Sequence, residues 1–475
     1  MLFSSLTFLY FFIPLVVIAY FAVNNRVWRN TVLLIFSLVF YSWGEPKYII
    51  LLAASILIAY LSGLLIYHNR NNRKYAKLFL VLSITIFTGF LFSFKYLNFF
   101  TDSIDSLFNS SIRLNTILLP IGISFYTFQI LSYIIDLYRN EISVQKNILH
   151  FALYVSFFPQ LIAGPIVRYK TIEHEITDRK ENCDDIIYGF RRFITGLAKK
   201  VLLANSVGAV ASHIYSLNES SASFEAAGSL SLWLAALCYG LQIYFDFSGY
   251  SDMAIGLGGI FGFHFLENFN YPYMSLSITD FWRRWHISLS SWFKDYVYIP
   301  LGGSRVNPSR WLLNILIVWL LTGLWHGAEW NFIIWGLYYA IWLILEKLIL
   351  NRIFKKIPEV IRWIYTILVV TIGWVIFSIT DTLQLLSILK TMFSYKFTDW
   401  SVLLSADISV MKGFVFIPIA ILSAFPIIKT HKNVFIKKDS RILNILTDIC
   451  YIILLALCIA FIISSSYNPF IYFRF

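Results

Sequence analysis

Two histidines in this sequence have the surroundings of a proton-transfer site. His326 lies between Trp325 and Gly327 with a long apolar run on each side, and His286 precedes it by forty residues. A neutral imidazole is a suitable general base near pH 7. Because an ionisable residue at membrane depth is costly, it marks a functional site by default. His326 is therefore the first candidate base; the alternative is a structural histidine bonded to a neighbouring helix.

The second histidine falls within a segment predicted to be one amphipathic helix, residues 277–293. Ser277 and Asp280 resemble a helix-start capping arrangement. At helical spacing one face carries Trp282, Trp285, His286, Leu289, Trp292 and Phe293, whereas Arg283, Ser290, Ser291 and Lys294 fall toward the other. Such a helix is expected to lie in the cytoplasmic interface of a membrane. The alternative is an ordinary surface helix with an aromatic belt.

A third polar group lies upstream, in residues 242–253, where an apolar run ends. It contains Asp246, Ser248 and Asp252. Buried carboxylates need partners, and Arg283 and Arg284 are the expected ones. We interpret the group as a structural polar network that holds two helices in register.

The elements that position these residues must be membrane helices. The chain has 475 residues, of which 58% are hydrophobic and only 13% charged, with a mean hydropathy of +0.70. Soluble domains carry about 25% charged residues, and disordered chains are less hydrophobic and more highly charged than soluble domains. Both classes are therefore excluded. Four scattered cysteines without a CxxC or Cys/His cluster exclude a disulfide scaffold or a zinc site, and no metal is expected.

Apolar runs near the length of a bilayer recur along the whole chain. We expect an all-α integral membrane protein with about ten to twelve membrane helices, some too short to cross fully, and interfacial amphipathic helices beside them. The first run has no basic leader or cleavage site and is predicted to be a retained helix. We find no repeat and no long soluble insert, so residues 1–475 are predicted to form a single integral domain. The runs are 6–23, 31–43, 48–67, 78–96, 115–137, 148–167, 186–204, 228–248, 311–327, 330–350, 361–378, 411–428 and 442–464.

The formal charge of +12 is distributed along the chain in a way that indicates how the protein is oriented in the membrane. Lys and Arg concentrate in short loops between apolar runs, which is typical of cytoplasmic loops and argues against nucleic-acid binding. Placing these loops inside puts both termini on the extracytoplasmic side. The clusters are Arg26 and Arg29; Arg70, Arg73, Lys74 and Lys77; Arg352, Lys355 and Lys356; and Lys429, Lys432, Lys437, Lys438 and Arg441.

An ordered series of motifs resembles the membrane-bound O-acyltransferase family, in particular its bacterial alginate O-acetyltransferase-like branch. The series covers a core of about 115–350 and consists of 119–126, 161–168, 244–256, 281–290, 301–303 and 325–327. The resemblance implies helices around a central funnel open to the cytoplasm. His326 matches the near-invariant histidine of the family, and His286 matches a second, more variable polar position.

The resemblance also implies an activity, namely transfer of an acetyl group from cytoplasmic acetyl-CoA to an extracytoplasmic polysaccharide. No tightly bound cofactor is expected. Arg283, Arg284, Trp285 and Lys294 are candidates for binding the donor and its phosphates, although simple positive-inside anchoring also explains the cations. The implied setting is the bacterial cytoplasmic membrane, with a separate extracytoplasmic esterase-like (SGNH) transferase as partner.

Two other functions fit the sequence less well. One keeps the family but transfers D-alanine from a carrier protein to teichoic acid. The other is a transporter of a lipid-linked sugar, which predicts inverted repeats that we do not find.

The carboxy-terminal tail, residues 465–475, is unusually aromatic for a solvated end. The seven residues from Ser465 to Tyr472 reach up to about 23 Å when extended, compared with a hydrocarbon half-thickness of about 15 Å. The tail is thus long enough to fold back into the protein from outside. Similar termini in this acyltransferase group suggest Tyr472 as an acyl-accepting relay; the alternative is an interfacial aromatic anchor.

Overall fold

The structure is a computed structural model that describes residues 1–108, 117–219, 228–398, 408–426, 441–464 and 471. Within these residues every regular element is a helix. The predicted all-α integral membrane fold is confirmed. The central funnel and the single domain stay predictions.

The chain divides into two compact units. The first comprises Met1–Phe193 and Met253–Leu266. Its helices are α1 (Ile13–Phe21, preceded by a π-helical turn Phe8–Phe12), α2 (Arg26–Gly44), α3 (Ile49–His68), α4 (Arg73–Leu91, continued by a π turn Phe92–Tyr96), α5 (Leu97–Phe108), α6 (Ile123–Tyr138), α7 (Ile148–Ser156), α8 (Phe158–Leu161), α9 (Tyr169–Thr177) and the start of α10 (Cys183–Ala198).

The second unit comprises Ile194–Asp252 and Glu267–Phe475. After the end of α10 come a π turn (Lys199–Ala204), α11 (Asn205–Glu219) and α12 (Ser229–Ile260), whose last residues belong to the first unit. The remaining helices are α13 (Ile278–Arg284), α14 (Ile287–Phe293, followed by a π turn Lys294–Tyr298), α15 (Pro308–His326), α16 (Trp330–Leu345, followed by a π turn Glu346–Leu350), α17 (Asn351–Phe354), α18 (Glu359–Ser378), α19 (Thr382–Met392), α20 (Ile408–Ser423) and α21 (Arg441–Ser464).

Eight helical segments of the described chain are long and apolar enough to cross a membrane. They are Ile49–His68, Arg73–Phe108, Cys183–Leu217, Ser229–Ile260, Pro308–His326, Trp330–Phe354, Glu359–Ser378 and Arg441–Ser464. Two shorter apolar helices, Phe8–Phe21 and Val410–Ser423, accompany them. The chain is therefore a multi-pass membrane protein, and several of the predicted runs are too short to cross it alone.

Two of the apolar runs are not continuous helices, because the backbone leaves the helical conformation within them. In the run 148–167, Phe157 leaves the helical region with ψ 113° and separates α7 from α8. In the run 115–137, α6 begins only after Gly122, whose φ is +79°. A Cβ on Gly122 would lie 2.7 Å from the carbonyl oxygen of Leu161, so both the conformation and the close approach require glycine here. Hydrophobicity alone does not reveal such breaks.

The hairpin of α15 and α16 is the element that positions His326. Asn307 caps α15 by accepting a hydrogen bond from the backbone N–H of Arg310 at 2.8 Å, and Pro308 occupies the first turn, where its missing N–H costs nothing. The two helices touch through Gly323 and Gly336. A Cβ on either glycine would lie within 2.4 Å of a carbonyl oxygen of the other helix. The backbones therefore meet one turn before His326.

Candidate active site

The segment predicted as one helix is two helices with a sharp break at His286. α13 ends at Arg284, Trp285 is extended, and His286 is left-handed with φ 44° and ψ 56°. The break is held by the backbone N–H of Ile287, which donates to the carbonyl of Asn268 at 2.9 Å. Histidine is one of the few residues besides glycine that is enriched in this conformation. The prediction of a continuous helix over 277–293 is wrong, because apolar spacing runs through the break.

The start of α13 is fixed from two directions. Ser277 accepts a hydrogen bond from the N–H of Asp280 at 3.0 Å, which confirms the predicted cap. The fully buried Glu346, at the end of α16, accepts hydrogen bonds from the N–H of Ile278 at 2.5 Å and from both the N–H and the hydroxyl of Thr279. A carboxylate at a helix N-terminus is favourable. The sequence reasoning missed this positioning residue.

The break brings His286 and His326 to one cavity of about 350 Å³, which we call the histidine cavity. From α15 it is lined by Ile315, Val318, Trp319, Thr322 and His326, a set that shares one helical face. Eleven residues of helix extend about 16 Å, so the cavity follows α15 over half of a hydrocarbon core. The two histidines, forty residues apart in sequence, belong to the same site.

His326 is the last residue of α15, and its surroundings are aromatic. Its side chain is only 4% exposed, and its ring meets those of Trp335 and Phe377 edge-on, with centroids 5.1 and 5.2 Å away. Gly327, which follows, is extended and ends the helix. The imidazole is therefore fixed in a largely apolar pocket that still borders the histidine cavity.

His286 is 1% exposed and is oriented by a polar contact. Its Nδ1 lies 3.2 Å from Oδ1 of Asn268, an oxygen that can only accept, while the amide of Asn268 donates to the hydroxyl of Ser251 at 3.1 Å. This contact assigns the proton to Nδ1 and the lone pair to Nε2. Burial lowers the pKa of His286 well below its ordinary value of 6.5, and nearby His326 lowers it further. The ring is thus neutral near pH 7.

The predicted donor-binding residues separate into three groups. Arg283 and Lys294 are exposed and line the histidine cavity, so they place positive charge at its open side. Trp285 also borders the cavity but is buried, stacked on Phe281 with centroids 5.5 Å apart. Arg284 is not part of the lining and pairs with Asp280 at 3.0 Å.

The carboxylates of α12 have other partners than those predicted. Asp246 pairs with buried Lys200 at 2.6 Å, and Asp252 pairs with Lys199 at 2.6 Å; neither forms an ion pair with Arg283 or Arg284 in the described part of the chain. The prediction of an arginine partner was wrong because both lysines sit at the polar end of an apolar run, where their sequence position gives no sign of pairing.

Ser248 is buried beside these pairs, and within the described residues its hydroxyl has no hydrogen-bond partner. The two aspartates thus pair with lysines, and the role of these three residues as a structural polar network stays a prediction. A further polar connection runs from Ser251 through Asn268 to His286.

Ile471, the one residue of the tail that the structure describes, lies in this same region. The backbone N–H of Ile471 donates to Oδ2 of Asp246 at 2.8 Å, and Ile471 belongs to the buried core of the second unit. The next residue of α12, Phe247, packs edge-on against His286 with centroids 4.5 Å apart. Tyr472 lies outside the described residues, so its predicted relay role stays a prediction.

Trp282 is a cavity residue whose role the sequence reasoning missed. Its indole borders the cavity, it is 9% exposed, and its Nε1–H has no hydrogen-bond partner among the described residues. A buried donor without a partner costs free energy unless something binds it. A ligand oxygen in the cavity would satisfy it.

Comparisons with known proteins identify the family of this chain. The profile of the membrane-bound O-acyltransferase family matches residues 85–389. The chain is 42% identical to a probable alginate O-acetylase of Pseudomonas aeruginosa, covering 83% of this chain and 75% of that protein, and 37% identical to one of Pseudomonas putida over 100% of both. It is 36% identical to a peptidoglycan O-acetyltransferase of Helicobacter pylori, covering 82% and 80%. The matched segment contains both histidines and the residues that line the cavity.

Proposed function

This chain belongs to the membrane-bound O-acyltransferase family, and from that premise we propose that it O-acetylates an envelope polysaccharide with acetyl-CoA as donor. The observation that carries the proposal is the histidine cavity, which has exposed Arg283 and Lys294 on its lining and buried His286 and His326 within it. Relatives named as acetylating alginate and peptidoglycan support an envelope glycan as the acceptor.

The cavity suits a donor that is charged at one end and reactive at the other. The phosphates of acetyl-CoA cannot enter hydrocarbon, but they can pair with Arg283 and Lys294. The thioester then extends along the face of α15 toward His326, a distance of about 16 Å. Beyond these cations the cavity is largely apolar, which is the environment in which an uncharged acetyl ester can cross part of the membrane.

The residues have distinct parts in the transfer. His326 takes the proton of the acceptor hydroxyl as its oxygen attacks the thioester carbonyl carbon; the C–S bond breaks, and the proton passes from the imidazole to the coenzyme A sulfur. The indole N–H of Trp282 donates to the carbonyl oxygen, where negative charge develops. His286, held by Asn268, assists beside His326 as a second neutral imidazole.

The acceptor inside the membrane is proposed to be the tail. Ile471 is anchored on Asp246, next to Phe247 and hence to His286, and Tyr472 is the following residue. A phenol with a pKa near 10 needs a positioned base to attack a thioester, and His326 is the proposed one. An extracytoplasmic esterase-like partner would then move the acetyl group from Tyr472 to the glycan.

The central experiment uses inverted membrane vesicles that expose the cytoplasmic face. With acetyl-labelled coenzyme A outside, glycan inside the vesicles should become labelled, and a His326→Ala enzyme should give background label. Label in the variant equal to wild type would exclude His326 as the base. Incorporation of carrier-bound D-alanine in place of acetate would change the donor class, and this chain would then act on teichoic acid.

The tail is tested separately by Tyr472→Phe, which keeps the ring and removes the oxygen. We expect near-complete loss of glycan acetylation and, in the wild type without partner, label on the terminal peptide. If Tyr472→Phe matches wild type while deletion of 470–475 is harmful, the tail is a structural plug and the acetyl group passes directly to the partner.

A further inference from the structure

A second cavity, of about 850 Å³, lies in the first unit at the end of α3, and we call it the basic cavity. Its walls come from the end of α3, the start of α4, and the end of α6 with the loop that follows. Four cationic side chains line it: Arg70, Arg73, Arg139 and Lys146. No residue of the lining carries a carboxylate. Nothing in the proposed acetyl transfer uses this cavity.

The cations of the basic cavity differ in their ion pairs. Arg139 lies 3.9 Å from Glu141, which also pairs with Lys170 at 3.3 Å. For Arg70, Arg73 and Lys146 the described residues contain no ion-pair partner. Positive-inside anchoring explains basic residues in a loop, but it does not require side chains from three segments to surround one concave space.

Two of these cations share one aromatic ring. The guanidinium of Arg70 lies 4.9 Å from the ring centre of Tyr67, and the ammonium of Lys146 lies 5.7 Å from it. Each contact is favourable by itself, but the two positive groups repel each other across the ring. An anion bound between them would relieve that repulsion.

The surroundings of the basic cavity are those of a lipid headgroup. The twenty residues of α3 extend about 30 Å, the thickness of a hydrocarbon core, so the end of α3 lies at headgroup level. Exposed Leu57, Leu61 and Leu65 follow one another at helical spacing toward the cavity on α3, and Leu78 and Leu82 do so on α4. These rows offer apolar surface to acyl chains, and the cavity offers cations to a phosphate.

We propose that the basic cavity binds the phosphate of an anionic phospholipid, with Arg70 and Arg73 as its principal contacts. Guanidinium groups bind phosphate oxygens in pairs, which suits a phosphodiester held at the membrane surface. A soluble phosphate compound shares this chemistry but would have no use for the leucine rows.

The test is native mass spectrometry of the purified full chain in detergent, with phosphatidylglycerol and phosphatidylcholine of identical acyl chains supplied in equal amounts. We expect phosphatidylglycerol to be retained preferentially, by about fivefold for each cation engaged. The R70Q/R73Q variant should lose this preference. The matched control K355Q/K356Q, which removes two exposed cations elsewhere, should keep it.

A measurement on the unaltered protein guards against misfolding of the variant. Raising sodium chloride from about 0.1 to about 0.5 M should abolish the preference in wild type, because headgroup-level charges are screened. Equal retention of both lipids by wild type, or a preference that survives in R70Q/R73Q, would overturn the proposal. Thermal stabilisation by millimolar inorganic phosphate that depends on Arg70 and Arg73, with no lipid preference, would assign the cavity to a soluble ligand instead.

Discussion

The histidine cavity and the basic cavity are lined by different kinds of side chain. The histidine cavity is small and mostly apolar, with the exposed cations Arg283 and Lys294 on one side. The basic cavity is more than twice as large and has four cationic side chains among its lining residues. The difference matches the two proposed roles, because proton transfer inside a membrane requires a base in an apolar setting, whereas phosphate binding requires fixed charge at headgroup level.

Among the changes that test this comparison, loss of His326 should have the largest effect on kcat. His326→Ala is expected to lower kcat roughly a thousandfold, because a positioned base contributes that order of rate enhancement. The measurement is acetyl transfer in reconstituted membranes. His213→Ala, on α11 and outside the cavity lining, is the matched control and should retain activity. A similar loss of activity in both variants would indicate a general effect of replacing histidine and would contradict a specific role for His326 in the histidine cavity.

Replacement of His286 should have a smaller effect. His286→Asn suits the left-handed backbone better than alanine, so it tests the imidazole with little strain. We expect kcat to fall by roughly tenfold to a hundredfold, since His286 assists His326 without replacing it. A loss equal to that of His326→Ala would show that the two residues act as one unit.

The pH profile tests whether the histidine cavity is as dry as its lining suggests. Because the pKa of His286 is lowered by burial, the ring takes up a proton only as the pH falls below 6.5 toward the lowered value. The ratio of the wild-type kcat to that of His286→Asn should therefore stay level from pH 8 to 6.5 and decline only at lower pH. An inflection at or above pH 6.5 would indicate a wetter cavity and contradict the comparison.

Trp282→Phe isolates a single N–H in the wall of the histidine cavity. The change keeps an aromatic ring and removes the donor proposed for the thioester carbonyl, so kcat should fall about fivefold to tenfold with little change in KM. Trp335→Phe also removes an indole N–H next to His326 but outside the cavity lining, and its effect on kcat should be smaller. Equal effects would point to packing.

Salt should produce the smallest change. Raising ionic strength from about 0.1 to about 0.5 M is expected to alter kcat less than about twofold, since both histidines are buried and salt screens mainly exposed charges. The apparent KM for acetyl-CoA should rise, because Arg283 and Lys294 are exposed. A large fall in kcat at saturating donor would show that exposed charges take part in the reaction itself.

His326 could be found from the sequence because a titratable residue between two apolar runs is rare and physically costly. The break at His286 could not be, since apolar spacing continues across it and the cause, a hydrogen bond to Asn268, is a tertiary contact. The partners of Asp246 and Asp252 were misjudged for a similar reason. The prediction favoured the nearest arginines in sequence. The actual partners, Lys199 and Lys200, lie in the π turn after α10, and only the fold brings that turn to α12.

Residues that act only through others were also beyond sequence reasoning. Glu346 appears as one acid at the end of an apolar run, and only the fold brings it to the start of α13. The positions of the membrane helices, by contrast, could be predicted, because the thickness of the hydrocarbon core and the hydropathy of the sequence constrain each helix independently.

The glycine contact between α15 and α16 has a consequence for motion. Gly323 and Gly336 each pack against a backbone carbonyl of the opposite helix, so the two helices cannot slide or rotate against each other without a clash. His326 lies one helical turn beyond this contact. A side chain held in this way cannot move from one side of the membrane to the other. In the transfer proposed above, the acetyl group therefore moves past an imidazole that stays in place.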